Sequence, residues 1–125
     1  GRYHPEVFGK IGVMSPSFWW ASRAAFKEVP AMPDDLLIWL DMGTNESIRD
    51  HFNSPLQNAR DMHRALQSMG YEDDRNLMYY EDKGAGHNEW YWARRLHMPL
   101  KFFFAPGRVV PRRAGLSAAS PPEGG

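Results

Sequence analysis

Two side chains in this sequence have the types and positions that acid–base catalysis requires. His87 follows Gly84 and Gly86 in a loop between a predicted strand and a predicted helix, so its ring is expected to project over the end of a sheet. Glu46 lies in a turn just beyond another predicted strand. A carboxylate that accepts the Nδ1 proton of an imidazole holds its tautomer and leaves Nε2 free to act as general base. Glu46 and His87 are therefore the candidate acid and base.

Both candidates also have a structural interpretation. A lone histidine in a loop is usually a solvated one, and Glu46 with Asn45 is a suitable helix start, where an acid favours the helix dipole. Asp41 also follows the same strand and is the alternative acid. Asp41 has its own alternative role, which is to accept hydrogen bonds from loop amides.

No nucleophile is recognisable in these residues. The sequence contains no G-x-S-x-G, the pattern of the strand-to-helix turn that carries the serine in α/β-hydrolases. Ser15 lies at a strand end and Ser17 near a helix start, but Pro16 separates them and the glycines are missing. We expect Ser15 to line a substrate pocket rather than to attack, and Trp19 to form an apolar wall of that pocket.

The sequence predicts neither a metal nor a cofactor. The absence of cysteine excludes disulfides, thiolate zinc sites and a cysteine nucleophile. H-E-x-x-H, P-loop and dinucleotide-binding patterns are also missing from the sequence. A metal site built from Glu81, Asp82 and His87 has no spacing that would fix its ligand geometry.

The composition limits the classes of partner. Fifteen basic residues balance fifteen acidic ones, and this balance argues against a nucleic-acid binder and against recruitment to anionic membranes. No apolar run approaches the roughly 20 residues of a membrane span. The composition therefore argues against both nucleic acid and membrane as partners.

The apolar patterns predict alternating strands and helices. Leu36 to Leu40 (LLIWL) is a continuous apolar run typical of a strand buried on both faces, with a polar loop from Asp41 to Asn45 after it. Ser54 is expected to cap a helix in a capping box with Gln57, and Gly70 to end it. The predicted order is strand 10–15, helix 17–29, strand 36–40, helix 54–70, strand 76–81 and a helix from 88. Such alternation predicts an α/β fold with a short parallel sheet flanked by helices.

The C-terminal part of the chain is predicted to change character. Trp90, Ala93 and Leu96 form the expected apolar stripe of the last helix, and Pro99 is expected to kink or divide that helix near residues 102–104. Residues 106–125 are rich in Pro, Gly, Ser and Ala, which predicts a disordered tail after one domain of residues 1–105.

Three segments resemble the "putative esterase" family of the α/β-hydrolase fold. HPEVFGKIGVMSPSFWW resembles the segment after the nucleophile helix, LDMGTNES the acid loop, and GAGHNEWYWARRL the loop and helix that bear the catalytic histidine. The family includes enterochelin-esterase-like enzymes, feruloyl esterases and S-formylglutathione hydrolase. The resemblance covers about Tyr3 to Phe104, and it implies that Glu46 is the acid and His87 the base of a serine esterase. The partner that it implies is a small-molecule ester substrate.

The resemblance also implies what to expect of the isolated chain. A family member would carry its first strands, oxyanion loop and nucleophile before Gly1, so we interpret the chain as the C-terminal portion of an α/β-hydrolase, inactive alone. The strand at Lys10 to Met14 would then be an exposed sheet edge with an uncovered apolar face, prone to association. The alternative hypothesis is a non-catalytic α/β-hydrolase-like domain that binds a partner or ligand through its strand-end loops.

Overall fold

Three parallel strands form one sheet in a computed structural model that describes residues 1–46 and 54–107. The strands are β1 (Lys10–Met14), β2 (Leu37–Gly43) and β3 (Leu77–Asp82), and β2 lies in the middle with Leu40 opposite both Val13 and Tyr79. The helices are α1 (Trp20–Glu28), α2 (Pro55–Ser68), α3 (Glu89–Arg95) and α4 (His97–Phe104), with a 3₁₀ turn at Val29–Ala31. The predicted α/β class and the predicted order of elements are confirmed.

The sheet carries an apolar core on each face. Side chains alternate between the two faces along a strand, and both sets along β2 are buried, as expected of a central strand in a parallel sheet. On one face Ile38 and Leu40 pack with Met62 and Leu66 of α2. On the other face the core is formed by Leu37, Trp39 and Phe102, the last of these from α4. Helices therefore cover both sides of β2, and no helix among the described residues is long and apolar enough to cross a membrane.

The ends of α2 follow from local chemistry. The hydroxyl of Ser54 accepts a hydrogen bond from the backbone N–H of Gln57 at 3.2 Å, and Gly70 adopts a φ of 95° beyond the last turn. Both predictions for this helix are thus confirmed in the backbone. The reciprocal bond of the capping box, from the Ser54 N–H to the Gln57 side chain, is missing from the hydrogen bonds of the described residues; the Gln57 amide donates to Asp61 at 3.0 Å.

Asp41 does not lie in a loop. The prediction of a polar loop from Asp41 to Asn45 is wrong in its first part, because β2 continues through Gly43 and buries Asp41 completely. A carboxylate tolerates such a position only when donors and a countercharge surround it. Arg95 supplies the countercharge here.

The predicted apolar stripe of the last helix is also wrong. Trp90 is 65% exposed and Leu96 is 48% exposed, whereas the residue of α3 that is buried is Arg95. The chain divides at Leu96 and not near residues 102–104, because Pro99 occupies the first turn of α4, where its missing N–H costs no hydrogen bond.

The strand β1 is an edge of the described sheet. It pairs with β2, and the described residues supply no strand on its other side. Its apolar face is covered in part, contrary to expectation: Ile11 and Val13 pack against one core and Met14 packs against the other. Association through this edge stays a prediction, and residues 108–125 of the predicted tail lie outside the described residues.

Candidate acid–base site at the strand ends

The carboxyl ends of all three strands meet at one edge of the sheet. The parallel register sets Met14 opposite Asp41 and Gly43 opposite Asp82. Ser15 therefore follows β1 where β2 presents Asp41, and the turn to Glu46 begins where β3 ends. Ligands of open parallel sheets bind at this edge, so a functional site is expected here.

Glu46 and His87 are in direct contact. Oε2 of Glu46 lies 2.9 Å from Nδ1 of His87, although 41 positions separate them in the sequence. The Glu46 side chain is 3% exposed and that of His87 is 55% exposed, so a carboxylate hidden from water faces an imidazole open to it. When Nδ1 carries the proton it donates to Glu46, and Nε2 is left with a lone pair.

Two short loops hold this pair together. The backbone N–H of Asn45 donates to the carbonyl of Ala85 at 2.9 Å, and the N–H of Gly84 donates to the hydroxyl of Thr44 at 2.8 Å. The N–H of Gly43 donates to Oε1 of Glu46 at 2.8 Å. The first two bonds join the loop after β2 to the loop after β3, and the third fixes the Glu46 side chain against the end of β2, so residue 46 lies beside residue 87.

The helix α3 begins directly after His87. Asn88 caps it by accepting the backbone N–H of Tyr91 at 3.3 Å, so the position of the helix is set beside the histidine. One turn further on, the Trp92 ring meets the His87 ring edge-on, with 4.9 Å between ring centroids. The same helix carries Arg95 under the strand ends.

Arg95 is the cation of a buried cluster of acids. Its side chain is 2% exposed, and its guanidinium lies 2.8 Å from Asp41, 3.2 Å from Asp82 and 4.0 Å from Oε1 of Glu46. Burial alone would lower the pKa of Arg95, but the hydrogen bonds and charges of Asp41 and Asp82 outweigh burial and raise that pKa above its ordinary value. Arg94, half exposed, adds a second cation at 2.9 Å from Asp82.

Asp41, the alternative acid, is occupied by this cluster. Oδ1 accepts from Arg95 at 2.8 Å and from the backbone N–H of Ser15 at 3.2 Å, and Oδ2 accepts from the indole of Trp39 at 2.7 Å. Within the described part of the chain, its hydrogen bonds do not include one to His87. The structure thus brings Glu46, and not Asp41, to the histidine.

Ser15 and Trp19 line a cavity beside the acid–histidine pair. The cavity has a volume of about 190 Å³, and both Glu46 and His87 reach its wall. The remaining lining residues are Pro16, Ser17 and Pro55. Two prolines and one tryptophan thus line it together with polar side chains, a combination typical of a small-molecule site.

Three residues of this site were not predicted from the sequence: Arg95, Trp92 and Gly43. Carboxylates that are buried together need a countercharge, but only the assembled sheet shows that Asp41, Glu46 and Asp82 are buried. In the described residues no group of three or more His, Cys, Asp or Glu side chains is arranged to hold a metal ion. Asp41, Glu46 and Asp82 come together around Arg95 instead.

The described structure is that of an α/β domain with an acid–histidine pair at the carboxyl edge of its sheet. Residues 1–103 match the family described as "Putative esterase", and the chain belongs to that family. It is also similar to the uncharacterized protein YbbA of Bacillus subtilis (strain 168), with 26% identity over 111 residues. That alignment covers 84% of this chain and 43% of YbbA, so the chain spans less than half the length of this relative.

Proposed function

We propose that this 125-residue chain supplies the acid, Glu46, and the base, His87, of a serine carboxylic-ester hydrolase. The nucleophile of that enzyme lies outside the 125 residues. The observation that carries the proposal is the 2.9 Å contact between Glu46 and His87 at the carboxyl edge of the sheet. Membership of an esterase family supports the reaction class. The sequence has no G-x-S-x-G, which is the reason for assigning the nucleophile elsewhere.

The proposed reaction follows the serine–histidine–acid scheme. The serine oxygen attacks the ester carbonyl while its proton moves to Nε2 of His87, and the resulting imidazolium is stabilised by Glu46. Collapse of the tetrahedral intermediate breaks the bond to the alcohol, which takes the proton from Nε2. Water then attacks the acyl-serine with the same help from His87, releasing the carboxylic acid and the free serine.

Ser15 is a poor candidate for the missing nucleophile. Its hydroxyl contacts Glu46, Arg95 and Trp92, and in the described residues it has no hydrogen bond to His87. A nucleophile needs its proton within reach of the base and its oxygen open to substrate. Ser15 is buried and meets neither condition.

The direct test uses the polypeptide encoded by the complete reading frame that contains these 125 residues. We expect it to hydrolyse an aryl ester and to be labelled by a fluorophosphonate at a serine outside them. His87→Ala should lower kcat by at least about 10³-fold, and His4→Ala, at an exposed histidine far along the chain from the site, should leave it unchanged. Full activity in His87→Ala would refute the assignment of the base.

The alternative is a non-catalytic domain that binds a ligand through its strand-end loops. The missing G-x-S-x-G is the observation that favours it, since an acid–histidine pair without a nucleophile loses most of its transition-state stabilisation. It predicts no turnover and no fluorophosphonate labelling even from the complete reading frame. Labelling at Ser15 would contradict both functions.

A further inference from the structure

The hydroxyl of Ser15 lies among three polar side chains inside the strand-end edge. Its Oγ contacts Oε1 of Glu46, lies 2.7 Å from Nη2 of Arg95 and lies 3.0 Å from Nε1 of Trp92. The residue is 5% exposed, so solvent does not compete for these bonds. Ser15 is therefore part of a buried hydrogen-bond network, unlike a serine hydroxyl on the surface.

The count of donors fixes the direction of the Ser15 proton. A hydroxyl has one proton to donate and two lone pairs to accept with. Arg95 and Trp92 are donors without acceptor capacity, so their N–H groups occupy both lone pairs. The remaining partner is the carboxylate of Glu46, and the Ser15 proton must therefore point at Oε1.

We propose that Ser15 is a positioning residue for Glu46, with Arg95 and Trp92 setting the direction of its hydroxyl. The effect of this role on catalysis rests on the proposed esterase function, whereas its effect on the tautomer of His87 does not. Ser15 and the backbone N–H of Gly43 both donate to Oε1, the latter at 2.8 Å. The carboxylate cannot turn without losing both bonds, so Oε2 stays directed at Nδ1 of His87.

The consequence for His87 is a fixed tautomer. Oε2 of a carboxylate that is held in place is an acceptor alone, so it favours the imidazole form with the proton on Nδ1. Ser15 thus acts on the histidine through Glu46 without touching it. The guanidinium of Arg95 reinforces the arrangement at 4.0 Å from Oε1.

The ring ¹⁵N shifts of His87 report this tautomer directly, without substrate. We would record them at alkaline pH on the polypeptide encoded by the complete reading frame, and assign them with His87→Gln. The unmodified chain should hold Nδ1–H, and Ser15→Ala should lower the ratio of Nδ1–H to Nε2–H forms by about tenfold, the loss of one hydrogen bond to a charged group. Ser68→Ala, at an exposed serine on α2, should leave the ratio unchanged.

Ser15→Gly removes the same hydroxyl and suits the left-handed backbone of residue 15, whose φ is 47°, so it tests the proposal even if Ser15→Ala does not fold. It should lower the same ratio, whereas Trp90→Phe, at an exposed ring, should not. An unchanged His87 tautomer ratio in folded Ser15→Ala, or in folded Ser15→Gly, would overturn the positioning role, whatever the esterase assay gives.

A turnover assay of the complete reading frame separates the two proposals. If the enzyme is an esterase, Ser15→Ala should lower kcat by about tenfold with KM nearly unchanged, because the hydroxyl is already occupied by Glu46, Arg95 and Trp92 and has no bond left for substrate. A fall confined to KM would contradict positioning. Absence of turnover in the unmodified protein would refute the esterase, while the ring shifts would still decide the role of Ser15.

Discussion

Oε2 of Glu46 lies 2.9 Å from Nδ1 of His87, and Oε1 of the same carboxylate is held from the other side by the N–H of Gly43 at 2.8 Å. The two oxygens therefore have separate tasks. One fixes the side chain to the protein, and the other faces the histidine. This division makes the effect of single changes at the site predictable.

Glu46→Gln should lower kcat by about 10³- to 10⁴-fold in the complete protein, if the proposed reaction is correct. The amide keeps the shape but can direct an N–H at Nδ1, which stabilises the tautomer with the proton on Nε2 and removes the general base. Initial rates of aryl-ester hydrolysis measure the loss, and KM should change little. The control is Glu6→Gln, an exposed carboxylate near the N-terminus. Equal rates in Glu46→Gln and the unmodified enzyme would disprove the role of the acid.

Gly43→Ala should disturb both the loops and the site. A Cβ at this position would collide with the carbonyl oxygen of Ala85 and would lie 2.8 Å from Oε1 of Glu46. We expect a loss of about 1–3 kcal/mol in the free energy of unfolding, typical of overpacking, and a large fall in kcat. Gly12→Ala is the matched control, because its Cβ would meet Phe103 at an ordinary 3.6 Å. Urea denaturation compares the two, and similar losses would show that the close approach at Gly43 is unimportant.

Arg95→Met should be among the most destabilising changes in the chain. Removing the guanidinium leaves the buried carboxylates of Asp41 and Asp82 without their main countercharge, a loss that typically costs about 3–5 kcal/mol. Arg64→Met, at an exposed salt bridge to Asp61, should cost about 1 kcal/mol or less. Chemical denaturation of both variants under one set of conditions tests the contrast. If Arg95→Met lowers the free energy of unfolding no more than Arg64→Met does, Arg95 is not the main stabiliser of Asp41 and Asp82.

Glu81→Gln should destabilise the protein in a pH-dependent way. The hydrogen bond from Arg60 holds the pKa of Glu81 below its ordinary value of 4.5, with burial opposing it. A lowered folded pKa contributes stability that is present above 4.5 and is lost as the pH falls through the folded pKa. The variant should therefore lose about 0.2–1 kcal/mol at pH 7 and progressively less below pH 4.5.

The Arg60→Gln background supplies the control for this effect. Without the guanidinium at 2.7 Å, Glu81→Gln should change the free energy of unfolding less at pH 7. Urea denaturation at pH 7 and pH 3 of the two single variants and the double variant completes the cycle. A Glu81→Gln effect of the same size at both pH values would contradict the electrostatic origin.

The order of elements could be predicted because its signals are local. The apolar run from Leu36 to Leu40 gives the central strand, and the Ser54 cap with Gly70 bounds α2. The proximity of Glu46 and His87 was expected from strand-end loops and from resemblance, since no spacing rule links residues 41 positions apart. Local patterns thus predict the order of strands and helices, whereas the register of the assembled sheet brings the distant loops together.

The buried charges could not be predicted from local patterns. Arg95 in a short helix would normally face solvent, and Trp90 in the same helix would normally face the core, yet the structure reverses both. The reversal depends on Asp41 and Asp82, which come from two different strands. Only the assembled sheet brings these two carboxylates together, and their ion pairs with Arg95 stabilise its buried position.

The position of Arg95 along the chain has a consequence for how the protein is made. Asp41, Glu46 and Asp82 leave the ribosome before Arg95 does, since synthesis proceeds from the N-terminus. Until α3 has emerged, closing the strand ends would bury three acids without their main cation, which is unfavourable. The nascent sheet is therefore expected to stay open at this edge until α3 has emerged.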